Sequence, residues 1–522
     1  MDIQRAKQEI KNAVAAYLAK DETGAYAMPA IRQRPLLLMG PPGLGKTQIM
    51  EQIAQECHIG LVAYTITHHT RQSAVGLPFI RQRKFGGQDY SVTEYTMSEI
   101  IASVYRRMEA TGLKEGILFI DEINCVSETL APTMLQFLQG KTFGNQAVPA
   151  GWVIVAAGNP PEYNKSVRDF DIVTLDRVRR MDIEPSLPVW QNYARARRLH
   201  PAILAYLELR PQHFYKIEND VDGPRFVTAR GWEDLSALLA AHAALNLPVD
   251  ESVISQYLRH PEVARDFAAY WELYKKYRAD YGVEDILHGR AADAVVERAL
   301  RAAFDERLSL VSLLNAGLNV RFEAAQTAGA VTDGCYRQLR AFKRALQPAG
   351  AVLTPPDANA LFAGLVQDAD RRLADGKAAG QLSAREILVQ SRTCSLLSGW
   401  AAHLAALGQT PDADIAFDTV RESFNQQVRR REQVVAQASD ALEFAFDFME
   451  RAFGEGQEMV VFVNELALGP DSAPFLAEND CERFTAYSKR LLLAEGQNEL
   501  DAELDAELNR NDRLQNEHSR AF

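Results

Sequence analysis

The stretch Pro35-Leu-Leu-Leu-Met-Gly-Pro-Pro-Gly-Leu-Gly-Lys-Thr47 decides how this chain is read. An apolar run of strand length, Pro35–Met39, passes into Gly40–Thr47, and a helical pattern follows over Thr47–Cys57. The middle segment fits GxxxxGK[ST], the P-loop pattern, in the strand-to-helix setting that it requires. Glycines there let backbone N–H groups turn inward around a polyphosphate, and the helix offers its positive end to the same anion. Gly40, Pro41, Pro42, Gly43, Leu44 and Gly45, with Gln48 beyond them, form the cradle. Lys46 reaches the β- and γ-phosphates, and the Thr47 hydroxyl is suited to Mg²⁺.

Working outward, three further apolar stretches read as buried strands: Leu61–Thr67, Gly116–Ile120 and Trp152–Gly158. Helical patterns at Thr96–Met108 and Glu128–Leu138 separate them, which predicts an α/β domain with a mostly parallel sheet. The third strand ends in Asp121-Glu122. Asp121 would hold Mg²⁺ and Glu122 would orient and deprotonate the attacking water. Asn159 ends the last strand, and ligands of open α/β sheets gather at the carboxyl ends of strands. It could hydrogen-bond the γ-phosphate or the lytic water; a turn-forming Asn before Pro160-Pro161 is the bland alternative. Two insertions interrupt the pattern: a hairpin at Phe79–Tyr95 around Gly86-Gly87, and a loop or hairpin at Lys141–Gly151 carrying Phe143 and Gly144.

After Glu184 the pattern turns helical, punctuated by Pro185, Pro188, Pro201, Pro211 and Pro224. The expected organisation is an α/β nucleotide-binding domain (1–184), a small helical lid (185–282) and a large, mainly α-helical C-terminal region (283–522). In that last region the clearest helix is Phe424–Phe453, with Phe444, Phe446, Phe448 and Phe453 read as core. Gly454–Leu466 suits strand or helix equally. The acidic end, with Leu500, Leu504 and Leu508 a turn apart, reads as an exposed helix or fraying segment. At the other end, Ile3, Ile10, Val14, Tyr17 and Leu18 recur at helical spacing, so the opening segment reads as an amphipathic helix rather than a signal peptide.

The formal net charge of −12 counts against nucleic acid as the main partner. Five scattered cysteines form no metal-spaced cluster and suit a reducing, cytoplasmic setting. No apolar run approaches a membrane span. Asn164–Val167 reads NKSV, lacking the Asp of a guanine-reading NKxD motif, so ATP is the expected nucleotide.

PPGLGKT, LFIDEIN, VAAGNPPEYN and TLDRVRR occur in the order seen in AAA+ ATPases. The set resembles the MoxR branch, with its short insertions before the second motif and before the Asn. The resemblance covers roughly residues 1–280 and implies a P-loop AAA+ fold with a helical lid, ATP and Mg²⁺ as cofactors, and a homo-oligomeric ring of six subunits. It implies that Arg177 reaches the neighbouring subunit's nucleotide, with Arg179 and Arg180 as competitors. It further implies a phosphate-sensing arginine from the lid, assigned to Arg230 just before a helix, with the nearby Arg225 as competitor, although GWEDLS after Arg230 departs from the commoner MoxR wording. This resemblance implies a chaperone-like ATPase that remodels or activates a protein, with a separate von Willebrand A domain protein as a candidate partner. The alternative is a nucleic-acid-stimulated motor of a restriction or recombination system, for which Arg71, Arg81, Arg83 and Lys84 offer a basic surface.

Overall fold

The structure is a computed structural model describing residues 1–68, 74, 76–126, 130–143, 146–163, 167, 170–220, 223–346, 357–378, 382–408 and 412–491. Arg71, Gly144, Asn164 and the acidic end with its three leucines lie outside these. The chain divides into two compact units, Met1–Ala269 and Tyr270–Phe522.

The first unit is organised by a five-stranded parallel sheet. Its strands are β1 (Leu36–Met39), β2 (Gly60–Thr65), β5 (Gly116–Asp121), β8 (Trp152–Gly158) and β9 (Arg179–Asp182), in the order β2-β5-β8-β1-β9. Side chains alternate across the pleat, so each central strand feeds two cores. Leu36, Leu38, Ile117, Phe119, Val153 and Val155 pack against helices α1 (Ile3–Leu18) and α2 (Lys46–Glu56). Leu37, Leu118, Ile120, Ile154 and Ala156 pack instead with Ile100 and Val104 of the helix Glu99–Thr111 and Phe137 of the helix Ala131–Gly140. Burial on both faces explains why these strands read as continuous apolar runs. The opening helix forms as expected and buries Ala6, Ile10, Ala13, Val14 and Tyr17.

β9 was not expected. It is an edge strand reading Arg-Arg-Met-Asp, with only Met181 buried, so it carries no apolar run to announce it.

Both insertions are hairpins. β3 (Pro78–Phe85) and β4 (Gln88–Tyr95) pair antiparallel across Gly86 (φ 58°) and Gly87 (φ 86°), which supply the two left-handed residues of a tight turn. β6 (Thr142–Phe143) and β7 (Gln146–Ala147) form the shorter one, and Phe143 stacks on Phe137 at 4.0 Å.

Beyond β9 the chain is helical, with helices Leu187–Ala196, Pro201–Leu209 and Ala229–Leu245. One addition appears: an antiparallel hairpin, β10 (Lys216–Asp220) with β11 (Gly223–Val227), precedes the third helix. Its strands are only five residues each, and Pro224 had been read only as a helix breaker.

The second unit consists of long helices, among them Phe304–Leu346, Ala358–Ala378, Ala384–Ala405 and Ala413–Phe453. Cys335, Phe342, Phe362, Leu397 and Trp400 lie in one of its cores. Phe446 and Phe448 are fully buried. The ambiguous segment is helical, Gln457–Leu468, and its Phe462 meets Phe446 edge to face at 5.2 Å. Among the described residues, no helix is long and apolar enough to cross a membrane.

Candidate nucleotide site

Gly43 (φ 78°) and Gly45 (φ 81°) hold the loop after β1 in the left-handed conformation that glycine adopts without strain. Gly45 occupies the N-cap of α2, so Lys46 and Thr47 open that helix. The Lys46 side chain is 8% exposed. Its ammonium donates to the carbonyls of Gly40 (2.8 Å) and Pro41 (2.9 Å) and to Asn159 Oδ1 (2.9 Å). Burial, helped by the charge of Arg230, lowers its pKa to about 8 against the opposing pull of Asp121 and Glu122.

The neighbouring Thr47 hydroxyl donates to Asp121 Oδ2 at 2.8 Å. This hydroxyl–carboxylate pair is the hard oxygen donor set that suits Mg²⁺. Glu122 follows in the left-handed region (φ 56°), unusual for a residue with a side chain. Its turn is held at three points: Glu122 N–H donates to Asp121 Oδ1 (2.9 Å), Cys125 N–H to the Glu122 carbonyl (2.9 Å), and Ile123 N–H to Ala157 on β8 (2.9 Å). Parallel pairing of β5, β8 and β1 sets all three strand ends side by side. Lys46 with Asn159 and Thr47 with Asp121 are therefore joined directly, and Glu122 is the next residue along.

Residues 36–176 match the model of the ATPase family associated with various cellular activities (AAA). This segment is an AAA domain. No curated protein matches the chain. The match begins at β1 and ends one residue before Arg177, so the helices after β9 and the second unit fall outside it.

Next to the AAA domain's P-loop opens a cleft of about 1250 Å³, walled by Gly43–Gln48, by Ile3, and by Trp190, Tyr193, Phe214 and Arg230 from the segment after β9. Asp121, Glu122 and Asn159 are not part of its wall. Apolar and aromatic surface beside a phosphate cradle suits a nucleotide base. Arg230 enters from the first turn of the helix Ala229–Leu245. Arg225 lies instead on β11, in register with Glu218, away from this wall.

The three arginines after the short helix Ile172–Leu175 differ in their engagements. Arg179 pairs with Glu9 at 2.9 Å and Arg180 with Asp182 at 2.8 Å. Arg177 is exposed and has no ion pair among the described residues. Because β9 runs parallel to β1 with Arg179 opposite Leu36, Arg177 lies at the end where β1 starts. The P-loop leaves β1 from its other end, about 10 Å further on at the usual rise per residue. The fold does not bring Arg177 to its own P-loop.

Sequence reasoning missed three residues of this neighbourhood. Tyr215 donates from its hydroxyl to the Pro42 carbonyl at 2.8 Å. Thr228 caps the Arg230 helix, accepting from Gly231 N–H, and packs so closely on Gly43 that a Cβ there would lie 3.0 Å from it. Asn124 is buried and bonds Asn159. The first has no local signal; Thr228 carries the ordinary N-cap signature, and Asn124 stands in plain view inside LFIDEIN.

Proposed function

We propose that this chain hydrolyses ATP as one subunit of a ring and uses the energy to remodel or activate a protein partner, in the manner of MoxR-type AAA+ ATPases. The observation that carries the chemical part is the bonded set Lys46–Asn159 and Thr47–Asp121 with Glu122 beside it. Thr47 and Asp121 would hold Mg²⁺, which when bound supplies positive charge to the β- and γ-phosphate oxygens. Lys46 adds a second cation at the same oxygens. Glu122 takes the proton of the attacking water, and Asn159 orients that water or the γ-phosphate. Arg230 senses the phosphates from the lid helix. Arg177, remote from its own P-loop and without an ion pair among the described residues, stabilises charge on a neighbour's transferred phosphoryl group, which requires a ring; six subunits follow the family resemblance.

The β3–β4 hairpin supports a protein as the object of this work. Every residue of β3 is exposed, including Phe79, Ile80 and Phe85, and Phe85 lies beside Tyr90 with ring centroids 6.2 Å apart. Two strands with no third layer bury little, so such aromatic groups are available for contact. A nucleic-acid role is weakened by the same hairpin. Arg81 and Arg83 both engage Glu94, whose carboxyl is held below its ordinary pKa chiefly by Arg83. A separate von Willebrand A domain protein is one partner of the proposed kind.

The test replaces Phe85 and Tyr90 by Ser and measures turnover with candidate proteins and with DNA or RNA across a salt series. Basal turnover is expected to stay within about twofold, since surface changes away from packed sites are mild, while protein-stimulated turnover falls. Stimulation by nucleic acid that weakens steeply with salt, and is lost when Arg81, Arg83 and Lys84 are changed, would overturn the protein-partner reading.

A further inference from the structure

The last backbone rungs of β8 join Gly158 to β1, where Gly158 lies in register with Met39 and its carbonyl accepts from Gly40 N–H at 3.3 Å. Asn159 is the first residue past the ladder, so no strand remains to meet its own N–H and C=O. The Asn124 side chain meets both. Its Nδ2 donates to the Asn159 carbonyl at 2.8 Å and its Oδ1 accepts from Asn159 N–H at 3.3 Å, the pairing that a peptide group of another strand would give. Asn124 is 3% exposed, so the amide is held away from competing water. Gly158 leaves it room: a Cβ there would lie 2.5 Å from Asn124 Oδ1 and 3.1 Å from Met39 Sδ.

Asn124 also belongs to the turn that sets Glu122. Ile123 N–H is tied to Ala157, and Cys125 N–H to Glu122 itself. One buried amide therefore joins the turn carrying Glu122 to the residue whose side chain bonds Lys46. We infer that Asn124 is a positioning residue for ATP cleavage, fixing the Asn159 amide relative to Glu122 without touching nucleotide. This rests on the roles given above to Glu122 and Asn159. A two-point bond to the backbone constrains Asn159 in translation and rotation together, which a single bond would not. A group oriented in this way keeps the narrow tolerance that positioning a reacting water demands.

Asn124→Asp is nearly isosteric but replaces the Nδ2 donor by an acceptor facing the Asn159 carbonyl. Gly158→Ala leaves every polar group in place and pushes Asn124 from its seat. For both, together with Asn159→Ala and the double variant Asn124→Asp/Asn159→Ala, steady-state turnover and the affinities for ATP and ADP are measured. Turnover of Asn124→Asp and of Gly158→Ala should fall about 10- to 100-fold, the scale of lost supporting bonds around a reacting group. ADP affinity should persist, which certifies the folded P-loop, while the preference for ATP over ADP should shift as it does in Asn159→Ala. The double variant should be no slower than Asn159→Ala alone, because both changes remove one function. Normal turnover in Asn124→Asp and Gly158→Ala beside a slow Asn159→Ala would overturn the inference and leave the Asn159 role standing. Strictly multiplicative losses in the double variant, or loss of ADP binding by both single changes, would overturn it as well. Normal turnover in Asn159→Ala would remove both the Asn159 role and this inference.

Discussion

Glu122→Gln is expected to bind ATP and leave it uncleaved, with turnover reduced by about 10²-fold or more, the usual worth of a positioned general base. The substitution keeps length and shape, and the backbone beneath it is independently held. Asp121 Oδ1 accepts from residue 122 N–H, and Cys125 N–H donates to its carbonyl. The left-handed conformation at this position, which costs about 1 kcal/mol for a residue with a side chain, survives because those bonds are to backbone. What the change removes is the proton acceptor. ATP affinity should stay near the wild-type value, since Lys46 and the glycine cradle are untouched. Equilibrium binding of labelled ATP, alongside release of phosphate, separates the two effects. Unaltered hydrolysis by Glu122→Gln would end the assignment of Glu122.

The second large effect concerns Arg177. Register places it at the opening end of the sheet, while the P-loop stands at the closing end. Its neighbours Arg179 and Arg180 are tied to Glu9 and Asp182, and it is not. Arg177→Ala should lower turnover by about 10³-fold, in the range for an arginine that stabilises phosphoryl transfer, and Lys46→Ala should also be inactive. Mixing the two variants should restore turnover, because an intact Lys46 site then meets an intact Arg177 from the next subunit. At equal proportions in a head-to-tail ring, roughly a quarter of the interfaces are of this kind. Phosphate release across mixing ratios is the measurement. Absence of rescue at every ratio, in a preparation shown to exchange subunits, would place the function of each site within one chain.

The ease with which different parts could be read follows burial and locality. The three central strands β1, β5 and β8 announced themselves because both faces are covered, so Leu36–Met39 and Trp152–Gly158 are apolar throughout. β9 was hidden because an edge strand with one buried side chain carries no apolar run. The choice among Arg177, Arg179 and Arg180 lies beyond local pattern. TLDR points to Arg177 by resemblance alone, and what the fold adds is the register of β9 and the acidic partners of Arg179 and Arg180. Arg230 was assigned from its place just before a helix, with Arg225 as competitor; the hairpin β10–β11, which the sequence did not announce, is what sets Arg225 away from the cleft wall. Asn124 was legible as a residue but not as a role, since its two bonds reach across 35 positions of the chain. Gly454–Leu466 suited two conformations because its apolar residues are nearly contiguous; packing against Phe446 selects the helix.

The central claim, that the P-loop of this chain binds ATP for cleavage at Asp121 and Glu122, is tested most directly by phosphate release from ATP. The assay compares the wild-type chain with Mg²⁺, the wild-type chain with the metal chelated, and Lys46→Ala with Mg²⁺. Turnover should require the metal, as the Thr47–Asp121 donor pair implies, and should vanish in Lys46→Ala together with ATP binding. Turnover that persists without Mg²⁺, or that survives in Lys46→Ala, would contradict the account.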